Sequence, residues 1–150
     1  MEKLRILFIC VHNSARSQMA EAFMKHYAGD FCEVLSAGLE AGTLNPHVIE
    51  VMKEKKIDIS QNKTQTVFDL VKQNTMFSYV VTVCDREAHE KCPIFPGIAV
   101  RLHWPFPDPS EFTGSFHEIC EQTRLVRDMI EAKIKLFVEN LRHGESIHGE

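Results

Sequence analysis

The string FICVHNSARSQ places Cys10 at the end of an apolar run, with Arg16 and Ser17 shortly after it. A thiolate is a nucleophile, and a guanidinium is a planar fork that grips two oxygens of an oxyanion at once. Between them, Val11, His12, Asn13, Ser14 and Ala15 read as a loop joining a strand to a helix. The backbone N–H groups of such a loop, together with those of the first helical turn through Arg16 and Ser17, converge on one spot and favour negative charge there. The same field favours a thiolate over a thiol. The plain alternative is a buried cysteine with an unrelated surface arginine. In the anion-site reading Cys10 is the nucleophile, Ser17 donates to its sulfur, and the Asn13 amide holds the loop.

Three other positions carry chemistry. Asp108 precedes Pro109 in HWPFPDPSEFTG, a pair whose ordinary use is a turn. Cys84 and Cys92 flank the polar stretch DREAHEK, which reads as a mobile loop. Three readings of the pair stand side by side: incidental thiols, a zinc site completed by His89 and His103, or a redox relay to Cys10. Zinc sites usually show paired short spacings such as C-x2-C, which are missing from this stretch.

These residues must be held by elements that the sequence marks out. Leu4–Ile9 and Tyr79–Cys84 are apolar runs of strand length, as strands buried on both faces require. Val34–Ala37 and Ile98–Leu102 read as two further strands. Helical spacing predicts helices over Ser17–Ala28, Pro46–Lys56, Thr66–Gln73 and Ser115–Arg142, the second opened by an Asn45 cap and a first-turn proline. Strands alternating with helices predict an α/β fold, doubly wound around a four-stranded parallel sheet with helices on both faces. Ligands of such folds bind beyond the carboxyl ends of the strands, where Cys10 and Cys84 are both expected.

The 150 residues suit a single domain over 1–150. With 44% hydrophobic and 25% charged residues and a net charge of -4, the composition is that of a globular domain, with no basic run for nucleic acid. No apolar run is long enough to span a bilayer, and the amino-terminal segment reads as a strand rather than an export signal. A cytoplasmic location, with thiols kept reduced, is the expectation. The five cysteines are then not expected to form a structural disulfide framework. Cys32 and Cys120 read as core or surface thiols, and His143 and His148 as part of a polar tail.

The C-x5-R-S string after a first strand resembles the signature of the low-molecular-weight protein tyrosine phosphatases and their relatives, the thioredoxin-coupled arsenate reductases. The resemblance implies that Asp108 is a general acid above the anion loop, and HWPFPDP resembles the reductase branch more than the phosphatase branch. VVTVCDREAHEKCPIFPG resembles the reductase segment in which two cysteines follow the third strand, so it implies a Cys10/Cys84/Cys92 disulfide relay. Many relatives have a cysteine where this chain has Ala15, and a glycine where it has His12. Some hold potassium through positions matching Asn13, Glu21, Ser36 and Thr64, but a carboxylate of that set corresponds to Thr66 here, which argues against the ion. The implied function is reduction of arsenate to arsenite, with thioredoxin as reductant and no metal or organic cofactor. The alternatives are a phosphatase using Cys10, Arg16 and Asp108, and a non-enzymatic anion-binding or redox-sensing module.

Overall fold

A computed structural model describes residues 3–85 and 91–144. Four strands, β1 (Leu4–Cys10), β2 (Cys32–Gly38), β3 (Tyr79–Thr82) and β4 (Val100–His103), form one sheet in the order β2-β1-β3-β4. Every neighbouring pair is parallel. The helices are α1 (Arg16–Ala28), α2 (Pro46–Lys53), α3 (Val67–Lys72) and α4 (Phe116–Arg142), with a short 3-10 turn over Pro109–Glu111. This is the doubly wound α/β architecture predicted from the alternation of strand and helix patterns.

β1 is central, and side chains from successive residues enter opposite layers. Ile6, Phe8 and Cys10 join Met19 and Phe23 of α1 and Ile130 and Ile134 of α4 on one face. Leu7 and Ile9 join Val80 of β3, Val67 and Leu70 of α3, and Phe77 and Phe95 on the other. A strand buried on both sides cannot show alternation, which is why its sequence reads as an unbroken apolar run. The register Cys10↔Gly38, Ile9↔Thr82 and Thr82↔His103 brings the carboxyl ends of all four strands to one rim.

Element boundaries depart from the sequence pattern by a few residues, for local reasons. α2 stops at Lys53 rather than Lys56, because Ile57 N donates back to Met52 O at 3.1 Å while Lys56 takes a left-handed φ of 61°. Thr66 and Gln73 turn out to be the caps of α3, Thr66 in a reciprocal capping box with Asp69. β2 is longer than predicted, pairing with β1 along its whole length. β3 ends at Thr82, before Cys84, and β4 starts at Val100, where pairing with Tyr79 begins, leaving Ile98 outside the strand and almost fully exposed.

Candidate active site

The loop between β1 and α1 is built around Cys10, which is buried at the sheet rim. Its Sγ lies 2.8 Å from Ser17 Oγ. Asn13 Nδ2 donates to Ser17 Oγ at 2.8 Å and to Ser36 Oγ on β2 at 2.9 Å, while its Oδ1 accepts from Gln65 N at 3.0 Å. Ser17 Oγ, which accepts from Asn13, retains its own proton and a second acceptor position for the contact with the sulfur, in which either atom can donate. Asn13 sits at φ 53°, a left-handed conformation that asparagine tolerates better than other residues with a Cβ.

Three loop carbonyls are tied to the segment after β2. Val11 O accepts from Glu40 N at 2.9 Å, His12 O from Gly42 N at 2.9 Å, and Ser14 O from Asn45 N at 3.0 Å. In a trans peptide the N–H points opposite to the C=O, so tying these oxygens outward turns amide N–H groups to the enclosed side. Ala15, at the cap position of α1, has no side-chain oxygen to accept from the first-turn N–H groups. Gly38 makes room for the loop: a Cβ there would stand 2.7 Å from both Asn13 N and Val11 O. His12 lies at the exposed mouth, its Nδ1 3.9 Å from Glu40 Oε1.

Arg16 is 2% exposed, its Nη1 donating to Phe106 O at 3.0 Å and its Nη2 lying 3.4 Å from Asp108 Oδ2. The segment after β4 therefore folds back over the anion loop. Asp108 has both of the placements open to an Asp-Pro pair. Its Oδ1 accepts from Ser110 N at 3.0 Å and caps the 3-10 turn, and its Oδ2 faces the guanidinium. Behind it, Trp104 packs edge-on to Phe137 and tilted against Phe8, bracing the exit from β4.

Cys84 and Cys92 are joined in a disulfide with Cα atoms 5.9 Å apart. Cys84 is fully buried in the layer that contains Cys10, and its Sγ stands 3.9 Å from the carbonyl of Ile9. Cys92 is half-buried. The intervening residues 86–90, which include His89 and most of the polar stretch taken as a mobile loop, lie outside the described residues. Cys10, Cys32 and Cys120 are free and buried. Burial pushes the Cys32 thiol up to about 11 and raises that of Cys120, so neither is an active nucleophile near neutral pH.

The zinc reading loses its sulfur ligands in this state, since Cys84 and Cys92 are bonded to each other. His103 Nδ1 is 2.7 Å from Thr82 Oγ1, and among the described residues no group of three or more His, Cys, Asp or Glu is arranged to hold a metal ion. The residues weighed for potassium have protein partners in this structure. Glu21 is paired with the Lys25 ammonium and accepts from Ser36, Thr64 Oγ1 donates to Gly42 O at 2.6 Å, and Thr66 caps α3. His143 caps α4 through its backbone, and His148 lies outside the described residues. Sequence reasoning missed Gln18, Gln65 and the Phe106 carbonyl. Gln18 Nε2 donates to Asn13 O at 3.1 Å, and the other two act across 52 and 90 positions of chain. Among the described residues no helix is long and apolar enough to cross a membrane.

A cysteine closing the first strand, an arginine opening the first helix and an aspartate folded over both stand together on a doubly wound α/β scaffold. The chain belongs to the family described as low molecular weight phosphotyrosine protein phosphatase, which it matches over residues 5–146. It is 45% identical over 139 residues to an arsenate reductase of Shouchella clausii, covering 93% of this chain and 98% of that one. It also superposes on a solved arsenate reductase in its oxidized state with a TM-score of 0.70 and 26% identity, over 91% of this chain and 97% of the other. A thioredoxin-dependent arsenate reductase of Corynebacterium glutamicum matches with a TM-score of 0.58 and 32% identity, over 90% of this chain and 63% of that longer one.

Proposed function

We propose that this protein reduces arsenate to arsenite, with thioredoxin as its electron donor. The observation that carries the reading is the Cys84–Cys92 disulfide at the same rim as the Cys10 anion loop. Phosphoester hydrolysis has no use for a second and third thiol, whereas a two-electron reduction does. The relatives named arsenate reductase support the same reading.

In this scheme the loop N–H groups of Val11–Ser17 and the Arg16 fork hold the oxyanion. Cys10 thiolate attacks arsenic(V), and Asp108 protonates the departing oxygen, which leaves as water. Cys84 then attacks the Cys10 sulfur. The S–As bond breaks with its electron pair passing to arsenic, which leaves as arsenite, and a Cys10–Cys84 disulfide forms. Cys92 attacks Cys84, freeing Cys10 and giving the Cys84–Cys92 bond present in the structure. An external dithiol, cytoplasmic thioredoxin in this proposal, reduces that bond. The scheme uses no metal or organic cofactor.

The second reading is a phosphatase, favoured by the family match and sharing Cys10, Arg16 and Asp108. Water would then resolve the phospho-cysteine, leaving Cys84 and Cys92 dispensable. Parallel assays separate the two: arsenate-dependent NADPH oxidation with thioredoxin and its reductase, and hydrolysis of an aryl phosphate. Arsenate turnover lost in Cys84→Ser and Cys92→Ser while aryl phosphate hydrolysis survives is the expected pattern. Arsenate turnover unchanged in both variants overturns the relay.

A further inference from the structure

The carbonyls of the anion loop are not all held in the same way. Val11 O, His12 O, Ser14 O and Ala15 O accept from the main-chain N–H groups of Glu40, Gly42, Asn45 and Met19. Those ties persist whatever side chains the donors carry. Asn13 O is held by a side chain instead, the buried Gln18, whose Nε2 donates to it at 3.1 Å.

Gln18 is the third residue of α1, after the Ala15 cap. At that position a glutamine oxygen ordinarily reaches back to accept from the cap N–H. Here the amide is turned the other way. Its Oε1 accepts from Asn62 Nδ2 at 3.1 Å. Its Nε2 also faces Lys63 O and Asn13 Oδ1, each at 3.3 Å. Carbonyl oxygens only accept, so this orientation of the amide is the one that offers them a donor. Asn62 and Lys63 belong to the segment before α3, and the amide thus draws Asn13 O away from the enclosed side of the loop.

Asn13 O and the Ser14 N–H belong to one peptide and point in opposite directions. We propose that Gln18 is a positioning residue for the oxyanion: by holding Asn13 O outward, its amide keeps the Ser14 N–H aimed into the anion site. Rotation about the bonds flanking that peptide would turn it over and set a carbonyl oxygen, in place of a donor, against the anion. The inference rests on the reading of Val11–Ser17 as an oxyanion loop, and holds whichever oxyanion is turned over.

Two measurements test it, and neither uses turnover. Phosphate affinity is read by calorimetry. Alkylation of Cys10 by anionic iodoacetate and by neutral iodoacetamide is read by mass spectrometry of its peptide, with the Cys84–Cys92 disulfide intact. The reactivity of the sulfur enters both alkylation rates and cancels in their ratio, which reports the field of the loop. Gln18→Met keeps the length of the side chain and removes the donor. It should weaken phosphate binding by about tenfold or more and lower the iodoacetate-to-iodoacetamide ratio by about threefold or more. Asn62→Ala, at an exposed position, removes only the contact that orients the amide and should shift both readouts the same way by about twofold. Val138→Ala, in the core at the far end of α4, should lower the melting temperature and leave both readouts at parent values. Parent values in Gln18→Met, or a loss no greater than that of Val138→Ala, overturn the proposal. If Gln18→Met does not fold, Asn62→Ala decides by the same criterion. Parent protein that neither binds phosphate nor favours iodoacetate more than a free thiol does overturns the loop reading, and this inference with it.

Discussion

Replacing Cys10 by serine leaves a hydroxyl that is not ionised near neutral pH, and the side chain in hydrogen-bond contact at that position, Ser17, is not a base. Cys10→Ser is therefore expected to abolish turnover of both arsenate and aryl phosphate while retaining oxyanion affinity, measurable by calorimetry with phosphate. Residual turnover in homogeneous variant would remove Cys10 as the nucleophile. Asp108 makes a different prediction, because its carboxyl both caps the 3-10 turn and faces Arg16. Asp108→Asn can keep the cap but cannot donate the same proton. The covalent step should slow by about 10²–10⁴-fold for arsenate and much less for an aryl phosphate whose leaving group needs no proton. An equal loss for both substrates would mean that the turn, not the acid, is what Asp108 supplies.

Elements hold these residues in place through contacts that can be tested separately. The last residue of β2 lies so close to the anion loop that a Cβ at Gly38 would meet backbone atoms of Asn13 and Val11 at 2.7 Å. Backbone cannot rotate away as a side-chain tip can. Gly38→Ala should therefore cost about 1–3 kcal/mol and weaken phosphate affinity more than a distant destabilising substitution of equal size does. At the far end of α2, Glu54 accepts from Arg124 Nε and Nη2 at 2.8 and 2.6 Å and from Arg127 Nη1 at 2.7 Å, tying α2 to α4. Those guanidiniums hold its carboxyl down at about 2, below the roughly 4.3 of an unfolded chain. A depressed carboxylate stabilises the fold above the unfolded value and loses that contribution as pH falls through the folded one. The stability gap between parent and Glu54→Gln should be constant above about pH 5 and close between about pH 4 and 2 in urea titrations. Glu54 is more than a third exposed, so solvent screening keeps the gap under about 1 kcal/mol. A gap that widens in acid would contradict the pairing.

The whole molecule brings together thiols from positions 10, 84 and 92, and the sheet order is what does it. β3 lies beside β1, so the chain leaving β3 passes the end of β1, and Val83 N donates to Ile9 O at 2.8 Å. Cys84 thereby enters the layer of Cys10, and Cys92 returns to it from the partly exposed side. Cys92→Ser should consequently release about one equivalent of arsenite per chain and stop as a Cys10–Cys84 disulfide. Mass spectrometry of non-reduced peptides identifies that bond. Sustained turnover by Cys92→Ser would show that Cys92 is not the exit for the electrons.

Much of this was legible in the chain itself. Unbroken apolar runs at Leu4–Ile9 and Tyr79–Cys84, the cap at Asn45, and the C-x5-R-S string are local patterns, and local patterns follow from backbone geometry within a few residues. The boundaries at Lys53 and Thr82 were not, because the apolar pattern runs past both: Ile57 N turns back to Met52 O after α2, and the ladders with β1 and β4 stop at Thr82. Nor could spacing choose among incidental thiols, zinc and a relay for Cys84 and Cys92, since eight positions of separation are compatible with all three. The bond between them, the Phe106 carbonyl on Arg16 and the Gln65 amide on Asn13 depend on which segments the parallel crossovers lay side by side. Such contacts span tens of residues and carry no periodic signal, so the chemistry-bearing residue types are written in the sequence while their partners arise only when the sheet is assembled.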